Sequence, residues 1–422
     1  MYQEYTLENG LTILMLPVQV FQSVSVGIFV KVGSRYESAD QAGTSHFIEH
    51  MLFKGTPRRP SAKLIAEAIE SIGGVSNAYT SQDLTAYYAK VAASQATTAI
   101  DVLTDMIRHP LFEADQIEKE RQVIGEEINM TYDDPDSRVS ILLDEVIWPD
   151  HPLGHDVAGS HESLAGINQQ GLREFYRAAY HPQNLLVAVS GAFETEEVVR
   201  QIAERLGDWS PGSKPTFAAA PPRQTEARWR VEDRAIEQGH LCLALSALSR
   251  SHPDRYALSV LNAILGEGMS SRLFLNIREE RGLAYAVDSG LNLLHDTGSM
   301  VIYAGVDPDR APEALEAILT ELARLRDEPV PPAELHKAKE FLKGRLVLGL
   351  EDSFSQASWV ATQKLLMDRV KLPAEVLQAY EAVTAAEVQA IAQKLLIPTA
   401  YNLAAVGPFG EGEPFGRLLT GN

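Results

Sequence analysis

Cysteine is almost absent: Cys242 is the only one in 422 residues. An internal disulfide framework and a multi-cysteine zinc or iron-sulfur site are therefore excluded, which fits a reducing compartment. Any bound metal has to be held by histidine and carboxylate. Basic side chains are also scarce, 37 Lys and Arg against 57 Asp and Glu, a formal charge of -20. A phosphate backbone or an anionic membrane would be repelled, so neither nucleic acid nor a membrane surface is expected as a partner. Long hydrophobic runs are missing as well. No stretch approaches the ~18 apolar residues of a membrane span, and the longest runs, such as Asn184–Ser190, are strand-sized. The opening MYQEYTLENGLTILMLP carries acids ahead of its apolar run, with no basic region and no small-residue cleavage site. It does not read as a secretory signal, and a cytoplasmic protein is expected.

What the chain does contain is duplicated. The segment WSPGSKPTFAAAPPRQ, Trp209–Gln224, replaces periodic hydrophobic sequence with Pro, Gly, Ser and Ala near mid-chain, the signature of a linker. On either side, HPQNLLVAVSGAF (His181–Phe193) recurs as IPTAYNLAAVGPF (Ile397–Phe409), with Pro, Gly and Phe at matching places. Alternating runs at Ser23–Gly33, Leu84–Val91, Ala284–Leu294 and Ser299–Val306 suggest strands. Apolar spacings of three and four at Leu64–Ile72 and Leu315–Leu325 suggest helices. The strands come in groups, without strict βαβ alternation. The expected fold is therefore α+β: two duplicated domains, residues 1–208 and 225–422, joined by a linker at 209–224. Each is a mostly antiparallel sheet with helices packed on one face. The tail after Gly407 has too little periodicity to assign.

The chemistry concentrates in HFIEH, His46–His50, within AGTSHFIEHMLFKGT. Thr44 or Ser45 is placed to cap a short helix that Gly55 and Pro57 end. On that helix His46 and His50 lie one turn apart on one face and can share an ion, while Glu49 sits beside them, suited to take a proton from a metal-held water without being a ligand. This is the H-x-x-E-H arrangement. Chance supplies about 0.04 such pentapeptides in a chain of this composition, so the pattern is unusual. A hydrolytic zinc site needs a third protein ligand and an open position. The helical stretch ERQVIGEEINMTYDD offers Glu120, Glu126 and Glu127, and Glu120 and Glu127 share a helix face. In the duplicated half Glu127 falls opposite Arg345, and the segment SVLNAILGEGMSS has no histidine, so only the first half can hold this metal. A phosphate cradle at GEGMSS is rejected because it lacks the lysine of a Walker loop. Cys242, inside the apolar run HLCLALSAL, reads as a buried strand residue.

Taken in order, LENGLTIL, GTSHFIEHMLFKGT, SNAYTSQDLTAYY, ERQVIGEEI, YHPQNLLVAVSG, GEGMSSRLF and REERGLAYAV span nearly the whole chain. The sequence resembles the pitrilysin and insulinase zinc metallopeptidases, most closely the small two-domain forms related to the mitochondrial processing peptidase. The resemblance implies one Zn2+ per chain held by His46, His50 and Glu127, with Glu49 as general base and Glu120 supporting the ligands. It implies that Asn77, Ala78 and Tyr79 form an edge strand that pairs with an extended substrate. It further implies that Arg278 and Tyr285 steady the substrate carbonyl and the developing oxyanion. The activity so implied is endoproteolysis of peptides or unfolded segments through a zinc-bound water activated by Glu49. The rivals are a non-catalytic core or assembly subunit and a peptide-binding chamber protein of the same fold. Larger relatives close four such units around the site, so the resemblance also implies a homodimer in which Arg278 and Tyr285 of one subunit complete the zinc site of the other.

Overall fold

The computed structural model describes residues 2–410 and 412–420. Its first sheet has six strands: β1 (Gln3–Thr6), β2 (Thr12–Pro17), β3 (Ser23–Val30), β4 (Val75–Thr80), β5 (Thr85–Ala92) and β6 (Leu185–Gly191), in the order β1-β2-β6-β3-β5-β4. The second has five: β7 (Arg228–Asp233), β8 (Gly239–Ser246), β9 (Ala284–Leu293), β10 (Gly298–Val306) and β11 (Tyr401–Gly407), in the order β7-β11-β8-β10-β9. Every strand pairing among the described residues is antiparallel except β2 with β6 and β7 with β11. Without β1, the two orders are the same. The repeated segment forms β6 and β11, each entered through a short 3-10 turn, Pro182–Asn184 and Pro398–Ala400. The α+β duplication expected from the sequence is thus the fold.

The helices of the first half are α1 (Thr44–Leu52), α2 (Ala62–Glu70), α3 (Ala96–Arg108), α4 (Ala114–Asp133), α5 (Pro135–Ile147), α6 (His161–Gly166), α7 (Gln169–Ala179) and α8 (Thr195–Leu206). Those of the second are α9 (Arg255–Leu265), α10 (Ala311–Asp327), α11 (Pro332–Gly349), α12 (Ser353–Met367), α13 (Pro373–Ala382), α14 (Ala385–Leu395) and α15 (Glu413–Thr420), with a π-helix at Phe274–Glu280. The tail that sequence left unassigned includes α15.

The chain divides into two compact units that do not coincide with residues 1–208 and 225–422. One comprises the chain up to Asn129, His155–Ala218 and Leu348–Leu372; the other comprises Met130–Gly154, Ala219–Val347 and the chain from Pro373 onward. Each half lends one helix to the other unit. On one face of the first sheet, Ile13, Met15, Val26 and Ile28 pack with Phe47 and Met51 of α1 and Leu103 of α3. On the other, Leu14, Phe29 and Ala188 pack with Ala357, Val360 and Leu366 of α12. In the second unit α5 plays the same part: Val139, Leu142 and Leu143 meet Cys242, Ala244 and Ala404. Helices thus cover both faces of the first sheet, rather than the one face expected from the sequence. These strands are apolar on both faces, so each sheet needs a second cover.

Polar contacts fasten the exchanged helices, Arg138 of α5 to Glu232 of β7 at 2.8 Å and Ser25 of β3 to Ser353 of α12 at 2.8 Å. The segment 209–224 has no regular secondary structure, yet it is tied down. His181 Nε2 lies 3.1 Å from the Ser213 carbonyl, and the Arg35 guanidinium stacks 3.9 Å from the Phe217 ring. Further along, Ala220 donates its N-H to Asp296 at 2.9 Å.

Candidate metal centre

α1 is held by its N-terminus. Gly43 precedes it in a left-handed conformation, φ +92°, where a Cβ would come within 2.5 Å of the Ala158 carbonyl oxygen. Neither Thr44 nor Ser45 supplies the cap that sequence suggested. The buried Glu37 carboxylate does, accepting the N-H of Gly43 at 2.7 Å and of Ser45 at 2.5 Å. These are donors left over at a helix start, where the dipole also favours negative charge. Burial pushes the Glu37 carboxyl up to about 8 against the pull of these hydrogen bonds. Phe47, Ile48, Met51 and Leu52 then bury one side of the helix, which leaves His46, Glu49 and His50 on the other.

α4 presents its carboxylates by the same periodicity. Its buried stripe is Ile117, Glu120, Ile124. Continuing it by three residues reaches Glu127, while Glu126 is exposed on another face. Glu127 Oε2 lies 3.8 Å from His46 Nε2 and 3.6 Å from His50 Nε2, and one donor atom from each of the three residues falls within 4.8 Å of the others. Zinc bonds of about 2.0 to 2.2 Å place tetrahedral ligands about 3.3 to 3.6 Å apart, so this donor set fits such an ion with small adjustment. Among the described residues it is the one group of at least three histidine, cysteine or carboxylate side chains so arranged.

The surroundings prepare these donors. His50 Nδ1 lies 3.0 Å from Glu120 Oε2, which turns Nε2 toward Glu127 and orients the ring. Glu120 in turn meets Lys54 at 2.7 Å. Burial alone would raise the Glu120 carboxyl, but the hydrogen bonds from His50 and Lys54 outweigh it and hold the group below its ordinary value. Burial, then the neighbouring His50, lowers His46 to about 4, so at neutral pH this imidazole is uncharged and offers a lone pair. The buried His46 Nδ1 has no hydrogen-bond partner. Burial raises Glu49, and the Glu127 carboxylate adds to that; a hydrogen bond from Thr80 at 2.5 Å and the nearby His50 oppose it.

The other expected residues have separate settings. β4 pairs only with β5 and so lies at the sheet edge, with Asn77 and Tyr79 pointing away from the α1 side and Ala78 packed against the core. Asn77 Oδ1 accepts the Ala78 N-H at 2.8 Å. In the second unit Arg278 lies on the π-helix, its guanidinium 4.8 Å from the Phe274 ring and 5.5 Å from the Tyr285 ring; Tyr285 is 77% exposed on β9. Asn276 anchors that π-helix by donating to the buried Glu321 at 2.5 Å. Sequence reasoning missed Glu37 and Thr80. Thr80 had a signal, since strand alternation from Ala78 puts it on the α1 side, whereas Glu37 had none.

The profile of Insulinase (Peptidase family M16) matches residues 17–161, and that of the Peptidase M16 inactive domain matches 166–342. A Bacillus subtilis protein described as the uncharacterized zinc protease YmxG is 37% identical over 97% of this chain and 99% of its own. The chain belongs to peptidase family M16. A Mycobacterium leprae relative, the uncharacterized zinc protease ML0855, is 36% identical over 98% of this chain and 93% of its own. The M16 fold is matched by a protease from Helicobacter pylori, with a TM-score of 0.92 at 24% identity over 97% and 99% of the two chains. An M16 inactive domain from Pseudomonas fluorescens matches with a TM-score of 0.89 at 20% identity over 97% and 98%. The small two-domain form of the family fits this chain. No helix among the described residues is long and apolar enough to cross a membrane.

Proposed function

We propose that this M16 chain is a zinc-dependent endopeptidase acting on peptides or unfolded segments, with one Zn2+ per chain held by His46, His50 and Glu127. The observation that carries the reading is the donor set itself, three ligand atoms within 4.8 Å of one another with Glu49 adjacent on the same helix. When bound, zinc lowers the pKa of water and polarises a carbonyl. Glu49 takes the proton of the attacking water and returns it to the leaving amine. Its burial favours that role, because a carboxyl raised above its ordinary value accepts a proton more readily. The substrate backbone adds to the edge of β4 at Asn77, Ala78 and Tyr79, which favours extended chains over folded ones. Arg278 and Tyr285 bind the substrate carbonyl and donate to the oxyanion, serving the site of a second subunit in a homodimer.

The test is hydrolysis of a fluorogenic peptide by the zinc-loaded protein, with and without chelator, for wild type and Glu49→Gln. Chelator-sensitive turnover that Glu49→Gln abolishes while keeping its zinc is expected. A zinc-bearing wild type without turnover would indicate a non-catalytic subunit instead. For the shared site, mixing Glu49→Gln with Arg278→Ala subunits should restore activity, and no recovery in proven mixed dimers would overturn that arrangement.

A further inference from the structure

The edge strand and the carboxylate at position 49 are joined by a hydrogen bond that the site described so far does not use. Along β4 the side chains alternate, so Ser76, Ala78 and Thr80 face α1 while Val75, Asn77 and Tyr79 face away. Thr80 Oγ1 lies 2.5 Å from Glu49 Oε2 and 3.4 Å from Thr85 Oγ1 of the neighbouring strand. The Thr85 hydroxyl spends its one hydrogen on the Val32 carbonyl at 2.9 Å. A hydroxyl has a single hydrogen to give, and an ionised carboxylate only accepts, so the Thr80 proton belongs to Glu49.

We propose that Thr80 is a positioning residue for the general base: it fixes the rotamer of Glu49 by committing Oε2, and so presents the other oxygen to the attacking water. The inference rests on the endopeptidase reading above. Its consequence is geometric. Glu49 grows from α1, whereas the substrate is expected to pair with β4, so without a link their separation would depend on the packing of a helix against an edge strand. Thr80 ties the base to the strand that bears the substrate, so base and scissile bond share one frame. A displacement of about 1 Å at such a site can cost about 100-fold in rate.

Thr80→Val keeps the shape and removes the donor; Thr80→Ser keeps the donor. In the zinc-loaded full-length protein, Thr80→Val should lower kcat for a fluorogenic peptide by about 10- to 100-fold, with KM within about twofold and zinc content unchanged. Thr80→Ser should recover most of the loss. A kcat for Thr80→Val within twofold of wild type overturns the assignment, as does a loss carried by KM, or a Thr80→Ser variant as slow as Thr80→Val. Crystal structures of zinc-loaded wild type and Thr80→Val give a second measure that does not depend on turnover. The Glu49 carboxylate should leave its wild-type position while His46 and His50 stay, and an unmoved carboxylate overturns the proposal. If wild type itself turns over no peptide, the endopeptidase reading fails, and the crystallographic comparison still decides the role of Thr80.

Discussion

In the first unit the inward stripe of α4, Ile117, Glu120 and Ile124, runs on to Glu127 and meets two histidines of α1. In the second unit the inward stripe of α11, Ala338 and Leu342, runs on to Arg345, which meets Glu267 just beyond the end of α9 at 2.8 Å. α1 and α9 each follow the corresponding central strand, and α4 and α11 each lead into the exchanged helix. One topology thus brings the continuation of a helix stripe against the neighbouring helix or its end twice, and the residue types turn one meeting into a metal-type donor set and the other into an ion pair. The fold supplies the juxtaposition; the chemistry is grafted on it.

The strongest way to break this contrast is to remove a donor. His50→Ala should abolish zinc binding and cut peptide hydrolysis by more than about 1000-fold. Retention of zinc, read by atomic absorption after dialysis, would show that the three-donor set is not the metal site. Among the described residues the second unit has no such donor set, and substitutions at Arg345 should leave zinc content untouched.

The exchanged helices sharpen the comparison from the opposite side, because here the two units should behave alike. Leu142→Ala in α5 and Leu366→Ala in α12 each empty a buried position between a sheet and a helix from the other half. Each should cost about 2 to 5 kcal/mol by denaturant unfolding. A negligible loss at one alone would mean that its helix is not a true cover of that sheet.

Glu120→Gln tests the support behind His50. Loss of the charged partner at 3.0 Å should weaken zinc binding by about 10- to 100-fold in a chelator competition, with Glu126→Gln near wild type as the control. Equal losses would shift the support to another group. The smallest effect is expected at the second unit's counterpart. Arg345 is 63% exposed, so Arg345→Ala should change stability by only about 0 to 1 kcal/mol, and a larger loss would mean that the pair carries structural weight beyond an exposed ion pair.

Much of this was legible along the chain because it is local. The one-turn spacing of His46 and His50 fixes their common face wherever the helix lies, and alternation fixes the strands at Ser23–Val30 and Ala284–Leu293. The repeat of His181–Phe193 at Ile397–Phe409 marked the duplication without any structure, and the apolar run around Cys242 marked a buried strand, β8, where that residue is 1% exposed. The resemblance carried by the ordered motifs put Glu127 ahead of Glu126 before the buried stripe of α4 gave a geometric reason.

The sequence alone therefore determined the element types, the duplication and the pair of histidines, since each depends on spacings within a helix turn or a strand pair. Tertiary structure decided which partners meet across long separations. Glu120 and His50 are 70 residues apart, and Glu49 and Thr80 are 31 apart. The cap of α1 comes from Glu37, outside the helix that spacing could describe. The exchange of α5 and α12 was illegible for the same reason: an amphipathic helix announces that it needs an apolar partner, but not which of two equally apolar sheet faces will supply it.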